Sequence, residues 1–209
     1  MNGETTKKRT LGGSFESPAG ESCRAEPASS HATDKVLLYG YGNPGRGDDG
    51  LGPALAAAIE ELGVPDIAVD ANYQLTVEDA AEVAGYAAVV FADAATQGPT
   101  PFWFSRIDDS AIQRVGNSIG WTSHSVSPAQ VVALARDLFA SKVAAYALGI
   151  RGYEFGDLDE ALSSRAKDNL AKAVTFARKA LVERRFEYYV QEFGHPAVGD
   201  VTGSSTWKA

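Results

Sequence analysis

The sequence predicts an α/β fold, a three-layer sandwich in which a mostly parallel, twisted central sheet is flanked by helices. Two observations predict this class. Short apolar runs alternate with stretches of helical periodicity between about residues 35 and 188. Two of the runs, residues 86–94 (YAAVVFADA) and 143–150 (VAAYALGI), are almost wholly apolar, as is typical of parallel strands that are covered on both faces.

Five segments have the composition and length of strands. The first ends at a glycine-rich loop, the second (DIAVDA) ends near Asp70, and the third contains Asp93 close to its end. The fourth (FWFSRI) follows a turn at residues 97–101. In chain order the predicted strands are residues 35–41, 66–71, 86–94, 102–107 and 143–150.

Four segments are predicted to be helices from their periodicity and capping residues. Leucine and isoleucine recur at helical intervals over residues 50–62, directly after the glycine-rich loop. Thr76 and Asp79 resemble a capping box for a helix that ends near residue 84. Ser127, with a proline after it and Gln130 in the third position, predicts the start of the next helix. Either Ser163 or Ser164 caps the last one.

The two later helices show apolar stripes that are expected to face the core. The first stripe consists of Val131, Leu134, Ala135, Leu138 and Phe139. The second consists of Ala166, Leu170, Ala173, Val174, Ala177 and Leu181. Residues 152–159, between the last strand and the last helix, are predicted to be an exposed loop.

A single α/β domain at residues 35–188 is expected between two tails. Residues 1–34 are rich in serine, glycine, glutamate, alanine and proline and have no apolar periodicity, so they read as a disordered tail. Residues 189–209 read as a C-terminal tail. The chain of 209 residues is long enough for one core of this size.

Composition excludes several classes of function. A net charge of −8 argues against a general nucleic-acid binder, and no apolar run is long enough for a membrane span. The basic N-terminus lacks the hydrophobic stretch of a secretory signal. Cys23 is the only cysteine, which excludes an internal disulfide framework and a thiolate-rich metal site. A monomeric cytoplasmic protein is the simplest expectation.

Polar residues follow the predicted strands where the carboxyl ends of parallel strands form a functional crevice. Asp49, Asp70 and Asp93 lie at or beyond strand ends, and His124 precedes the helix that starts at Ser127. Two carboxylates and one imidazole suit a divalent transition metal, and three ligands leave positions open for water or substrate. Each residue alone has a simpler interpretation, because aspartates cap helices and isolated loop histidines are common. Asp70 has the weaker claim for this reason.

Four motifs in order resemble those of the nickel–iron hydrogenase maturation endopeptidases. They are GYGNPGRGDDGLG after the first strand, VVFADA, the isolated histidine before a capped helix, and GDLDEALSSRAKDNLAKAV. The resemblance covers about residues 36–182. It implies an α/β fold with a twisted central sheet. It also implies a cytoplasmic enzyme that removes a short C-terminal extension from the hydrogenase large-subunit precursor after nickel insertion.

The resemblance also implies roles for individual residues. The metal-contacting set falls by motif on Asp49, Asp93 and His124, and Asp70 is a further acidic residue, so the catalytic candidates are Asp49, Asp70 and Asp93. The resemblance implies that the metal is nickel carried by the substrate, which another divalent ion could replace. The resemblance implies an aspartyl type of endopeptidase. A covalent serine or cysteine mechanism is not expected, because no GxSxG motif is present and Cys23 lies in the tail. The segments DANYQL and SHSVSP depart from the common family pattern, which bears on the hydrogenase subtype.

Two other functions stay open from the sequence. Peptidyl-tRNA hydrolases also begin with a strand followed by GNPG, but this chain lacks an early histidine and its negative charge would repel tRNA. A non-enzymatic nucleotide-binding module could use the glycine loop as a phosphate cradle. However, neither GxGxxG nor GxxxxGK[ST] follows the first strand, and two carboxylates would repel a phosphate.

Overall fold

The structure is a computed structural model that describes residues 33–108, 126–156 and 161–194 together with Met1. The strands in these residues are β1 Thr33–Tyr41, β2 Ile67–Asn72, β3 Tyr86–Ala95, β4 Phe102–Arg106 and β5 Ala144–Arg151. The helices are α1 Leu51–Glu61, α2 Asp79–Val83, α3 Pro128–Phe139, α4 Ser164–Glu183 and α5 Phe186–Phe193. A single 3₁₀ turn, Gly47–Gly50, precedes α1.

One sheet contains the five strands in the order β2-β1-β3-β5-β4. Strands β2, β1, β3 and β5 pair in parallel, and β4 pairs antiparallel with β5 at the edge. The sheet is therefore mostly parallel, and the predicted fold class is confirmed. The carboxyl ends of the four parallel strands meet at one edge of the sheet, which we call the carboxyl edge.

Alternate residues of β1 face two separate cores. Leu37, Tyr39 and Tyr41 belong to a buried cluster that includes residues of α2 and α3. Val36 and Leu38 belong to a second cluster, with residues of α1, α4 and α5. The sheet therefore has a helical layer on each face, which explains why its central strands are apolar along their whole length.

Two glycines let α1 pack directly against the sheet. A Cβ atom at Gly40 would overlap the carbonyl oxygen of Gly52, and one at Gly52 would overlap those of Tyr41 and Ala92. Only residues without a side chain allow so close an approach of a helix to strands. The first turn of α1 is thereby held against the carboxyl edge.

The predicted helix caps of α3 and α4 are present. The Ser127 hydroxyl accepts a hydrogen bond from the Gln130 amide at 3.3 Å, and the Gln130 side chain accepts one from the Ser127 amide at 2.7 Å. Ser163, not Ser164, caps α4 by accepting from the Ala166 amide at 3.2 Å. The helix predicted from Thr76 is shorter than expected, because regular helix begins only at Asp79, whose carboxylate accepts from the Thr76 amide at 2.6 Å.

The predicted apolar stripe of α3 is wrong in its last turn. Val131 and Ala135 are buried and Leu134 is half-buried, but 67% of Leu138 and 48% of Phe139 are exposed, and Val132 is buried instead. Periodicity identifies the face of a helix but not the point where that face leaves the core. The stripe of α4 is as predicted, with Leu170 and Val174 half-buried and its other members buried.

The predicted domain end at residue 188 lies inside α5. This helix continues to Phe193, and Tyr189 is only 2% exposed. The helix belongs to an aromatic cluster in which rings pack at centroid distances of 4.6 to 6.4 Å; its members are Phe102, Phe104, Tyr146, Phe176, Phe186, Tyr189 and Phe193. Packing of aromatic residues on the edge strand therefore extends the folded part beyond the predicted boundary.

None of the helices in the described ranges combines the length and hydropathy that a membrane span requires.

Candidate active site

Asp49 and Asp93 are both buried at the carboxyl edge. Asp49 lies in the 3₁₀ turn before α1, is 4% exposed, and its Oδ2 accepts a hydrogen bond from the Asn43 amide at 2.9 Å. Asp93 lies near the end of β3, is 1% exposed, and its Oδ1 accepts from the Ala94 amide at 2.8 Å. Buried carboxylates are rare without such partners, and each of these is fixed by a backbone donor.

Tyr41 lies beside both carboxylates. It ends β1 on the same face of the sheet as Asp93, and its hydroxyl is hydrogen-bonded to the Asp93 side chain. Burial raises the pKa of Tyr41 well above its usual value, and the charges of Asp93 and Asp49 raise it further. The phenol is therefore neutral and acts as a donor between two negative groups.

Gly42 explains how the two aspartates come together. Its φ of 137° lies in the region that side chains rarely adopt, and a Cβ atom there would overlap the Asp49 carbonyl oxygen. The same Cβ position lies 3.4 Å from Oδ1 of Asp93. The chain can therefore turn sharply between Asp49 and Asp93 only because this residue has no side chain.

Asp48, the other half of the aspartate pair, has a different environment. It is fully buried, and its Oδ2 accepts from the Tyr153 amide at 2.7 Å, the Glu154 amide at 3.0 Å and the Ser163 hydroxyl at 2.8 Å. Its Oδ1 accepts from the Ser163 amide at 2.7 Å. Burial alone would raise the pKa of Asp48, but these hydrogen bonds outweigh it and hold the pKa below its usual value. Asp48 therefore joins the glycine loop to the segment after β5 and to the cap of α4.

This connection corrects the prediction for residues 152–159, of which the structure describes 152–156. Gly152 is buried and Tyr153 is half-buried, so this segment is not simply an exposed loop. The Asp48 amide also donates to the Glu154 carbonyl oxygen at 2.8 Å. The segment is held against the glycine loop because it supplies the donors that a buried carboxylate requires.

Asp70 is not brought into the group formed by Asp49 and Asp93. It pairs in register with Tyr39, and β1 separates its strand from β3, which places the two strands about 10 Å apart. Its side chain instead lies near Glu82, whose pKa is raised by burial and by the neighbouring charge of Asp70. Asp70 and Glu82 thus form a second acidic group, which lies beside the outer strand β2.

His124 lies outside the described residues, so its placement relative to Asp49 and Asp93 stays a prediction. Within residues 33–108, 126–156 and 161–194, no three histidine, cysteine, aspartate or glutamate side chains form a metal-binding group. The two buried carboxylates supply two oxygen donors of the predicted set, and carboxylate oxygen is a suitable ligand for a divalent ion.

Two aromatic residues near the site were not recognised from the sequence as part of it. Tyr41 reads only as the end of an apolar strand, although its position directly before the glycine loop was a usable signal. Trp103 lies on β4, and its indole covers Gly149, which is the register partner of Asp93 on β5. No local pattern indicates this contact, because β4 joins the sheet from a distant part of the chain.

The glycine loop is not arranged as a phosphate cradle. The Asn43 amide donates to the Asp49 carboxylate, and the Gly45 amide donates to the Asn43 side chain at 2.9 Å. A phosphate would need these amides as hydrogen-bond donors, but both already have acceptors within the loop. It would also be repelled by the negative charge of Asp49. The two buried carboxylates instead suit a cation, whose positive charge would offset theirs.

The fold is shared with solved structures of hydrogenase maturation proteases. Protein-family models give no match, and neither do curated protein sequences. The [NiFe] hydrogenase maturation protease HycI from Thermococcus kodakarensis is 20% identical with a TM-score of 0.54, and the match covers 71% of this chain and 92% of that one. The hydrogenase 2 maturation peptidase from a Thaumarchaeota archaeon is 22% identical with a TM-score of 0.53, over 70% of this chain and 97% of that one. The hydrogenase maturating endopeptidase HybD from E. coli is 17% identical with a TM-score of 0.53, over 72% and 94% respectively. The chain therefore has the fold of the hydrogenase maturation proteases.

Proposed function

We propose that the protein is an endopeptidase that removes the C-terminal extension of a nickel–iron hydrogenase large-subunit precursor after nickel insertion. The observation that carries this proposal is the convergence of buried Asp49 and Asp93 at the carboxyl edge of a fold shared with maturation proteases. We expect the protein to act as a monomer in the cytoplasm.

In this proposal the negative charges of Asp49 and Asp93 allow the protein to recognise the precursor that carries nickel. Asp49 and Asp93 are two negative groups in a poorly hydrated place, and each lies close enough to Tyr41 to raise its pKa. Like charges in such surroundings repel, and a divalent cation would offset both. Nickel is part of the substrate in this proposal, and His124 would supply the third ligand. A precursor without nickel would leave the two carboxylates uncompensated and would bind less well.

Hydrolysis requires a group that accepts a proton from water. A carboxylate in the site can act as that general base, and nickel can polarise the scissile carbonyl. Asp49 and Asp93 are the candidates beside the ion. Asp70 lies about two strand spacings from Asp93, so we do not assign it to the coordination of nickel.

The test is incubation of the full chain with nickel-loaded and nickel-free precursor, followed by mass spectrometry of the large subunit. Wild type should truncate only the loaded precursor. Asp49→Asn and Asp93→Asn, which keep the side-chain shape, should slow truncation at least about 100-fold, and His124→Ala should weaken discrimination between the two precursors. Asp168→Asn is the control, because this residue is exposed on α4 and loses the same charge. Equal truncation by all variants would overturn the proposal.

A further inference from the structure

Tyr41 and Tyr39 are equivalent in position but not in their partners. Both lie on β1, two residues apart and on the same face of the sheet, and both are buried. The Tyr39 hydroxyl accepts a hydrogen bond from the Asn72 side chain at 2.9 Å and is hydrogen-bonded to the Asp79 side chain. The Tyr41 hydroxyl, at the carboxyl edge, is hydrogen-bonded to Asp93.

The sheet register makes the contact between Tyr41 and Asp93 a consequence of the backbone. Gly40 of β1 pairs with Ala92 of β3, so the next residue of each strand lies side by side at the end of the ladder. Both side chains project towards the same core, and they are 8% and 1% exposed. Water therefore has little access to compete for this hydrogen bond.

The Asp93 carboxylate needs more than one donor to hold a fixed orientation. The terminal torsion of an aspartate is broad, so a single hydrogen bond does not determine the plane of the carboxylate. The Ala94 amide holds Oδ1 at 2.8 Å. A hydroxyl from the neighbouring strand supplies a second, independent constraint, and a ligand group must be held to within about 0.5 Å to bind an ion well.

We propose that Tyr41 is a positioning residue whose hydroxyl orients the Asp93 carboxylate to receive a divalent cation. This inference rests on the proposed function, in which the cation is the nickel of the precursor. It differs from a packing role, because it assigns the effect to one hydroxyl oxygen and not to the buried ring.

The test compares the full-length wild type, Tyr41→Phe and Tyr39→Phe, with cobalt chloride and nickel chloride as probes. Each variant removes one buried hydroxyl and keeps the ring, so the pair is matched. The visible spectrum of bound cobalt reports the geometry of its ligands, and a titration with nickel reports affinity. Thermal unfolding without metal measures the effect of each substitution on stability.

Tyr41→Phe should bind nickel about tenfold more weakly, as expected for the loss of one charge-assisted hydrogen bond, and should change the cobalt spectrum. Tyr39→Phe should leave the nickel affinity and the cobalt spectrum unchanged. Equal behaviour of the two variants would overturn the inference, and so would a wild type that binds neither ion at millimolar concentration. Absence of precursor cleavage by wild type would refute the proposed function separately, because ion binding is measured without the precursor.

Discussion

Asp48→Asn should destabilise the protein although it changes only one atom of a side chain that does not face the candidate site. The carboxylate accepts four hydrogen bonds, three at Oδ2 and one at Oδ1. An asparagine has one acceptor oxygen, so its NH₂ group must point at one or more of the present donors. At least one buried donor then loses its partner, and the others lose the assistance of the negative charge.

The magnitude follows from these four contacts. An unsatisfied buried donor costs about 1–3 kcal/mol, and a hydrogen bond to a neutral acceptor is roughly 1 kcal/mol weaker than one to a carboxylate. We therefore expect a loss of about 3 kcal/mol in the free energy of unfolding. For a folded part of this size that loss lowers Tm by roughly 6–12 °C. On the proposed function, truncation of the precursor should also slow, because Asp48 fixes the turn that contains Asp49.

Urea unfolding followed by circular dichroism measures this change. Asp168→Asn on the exposed face of α4 is the matched control and should change the free energy of unfolding by less than about 0.5 kcal/mol. A value for Asp48→Asn that equals the control would refute the reasoning, since it would show that the four hydrogen bonds contribute nothing beyond those made with water.

Three further predictions follow. The pKa of Asp48 is lower in the folded than in the unfolded state, so its stabilising contribution is complete above about pH 4 and disappears on acidification. The difference in unfolding free energy between wild type and Asp48→Asn should therefore shrink below about pH 4, and a constant difference would contradict this account. Ending the chain after residue 188 removes buried Tyr189 and should cost about 3–5 kcal/mol relative to a chain that ends after residue 194; equal melting temperatures would show that α5 is dispensable. A chain that starts at Thr33 should melt within a few degrees of the full chain, and a large loss of stability would show that residues 1–32 pack on the domain.

The fold class and most of the elements can be predicted from the sequence alone. Apolar runs identified the strands because a strand between two helical layers has no polar face, as in β3 and β5. Ser127 and Ser163 marked helix starts because capping depends on residues within one turn. These signals are local, so they can be read without knowledge of the tertiary structure.

The sequence also identified Asp49 and Asp93 as neighbours, because topology brings the carboxyl ends of parallel strands to one edge. By motif it selected Asp49, but it did not predict the structural role of the neighbouring Asp48. That role arises from the Tyr153 and Glu154 amides and from Ser163, which lie more than 100 residues later in the chain. No pattern within the glycine loop contains this information.

The side chains that lie beside Asp93 depend on long-range contacts in the folded chain. The contact of Tyr41 with Asp93 depends on the register between β1 and β3, and the separation of Asp70 depends on the position of β2 at the other side of β1. The position of α5 depends on aromatic packing against β4. Because α5 has only eight residues, its apolar pattern in the sequence is too short to distinguish it from a tail. In each case the contact joins residues from distant parts of the chain. A local sequence pattern therefore cannot predict it.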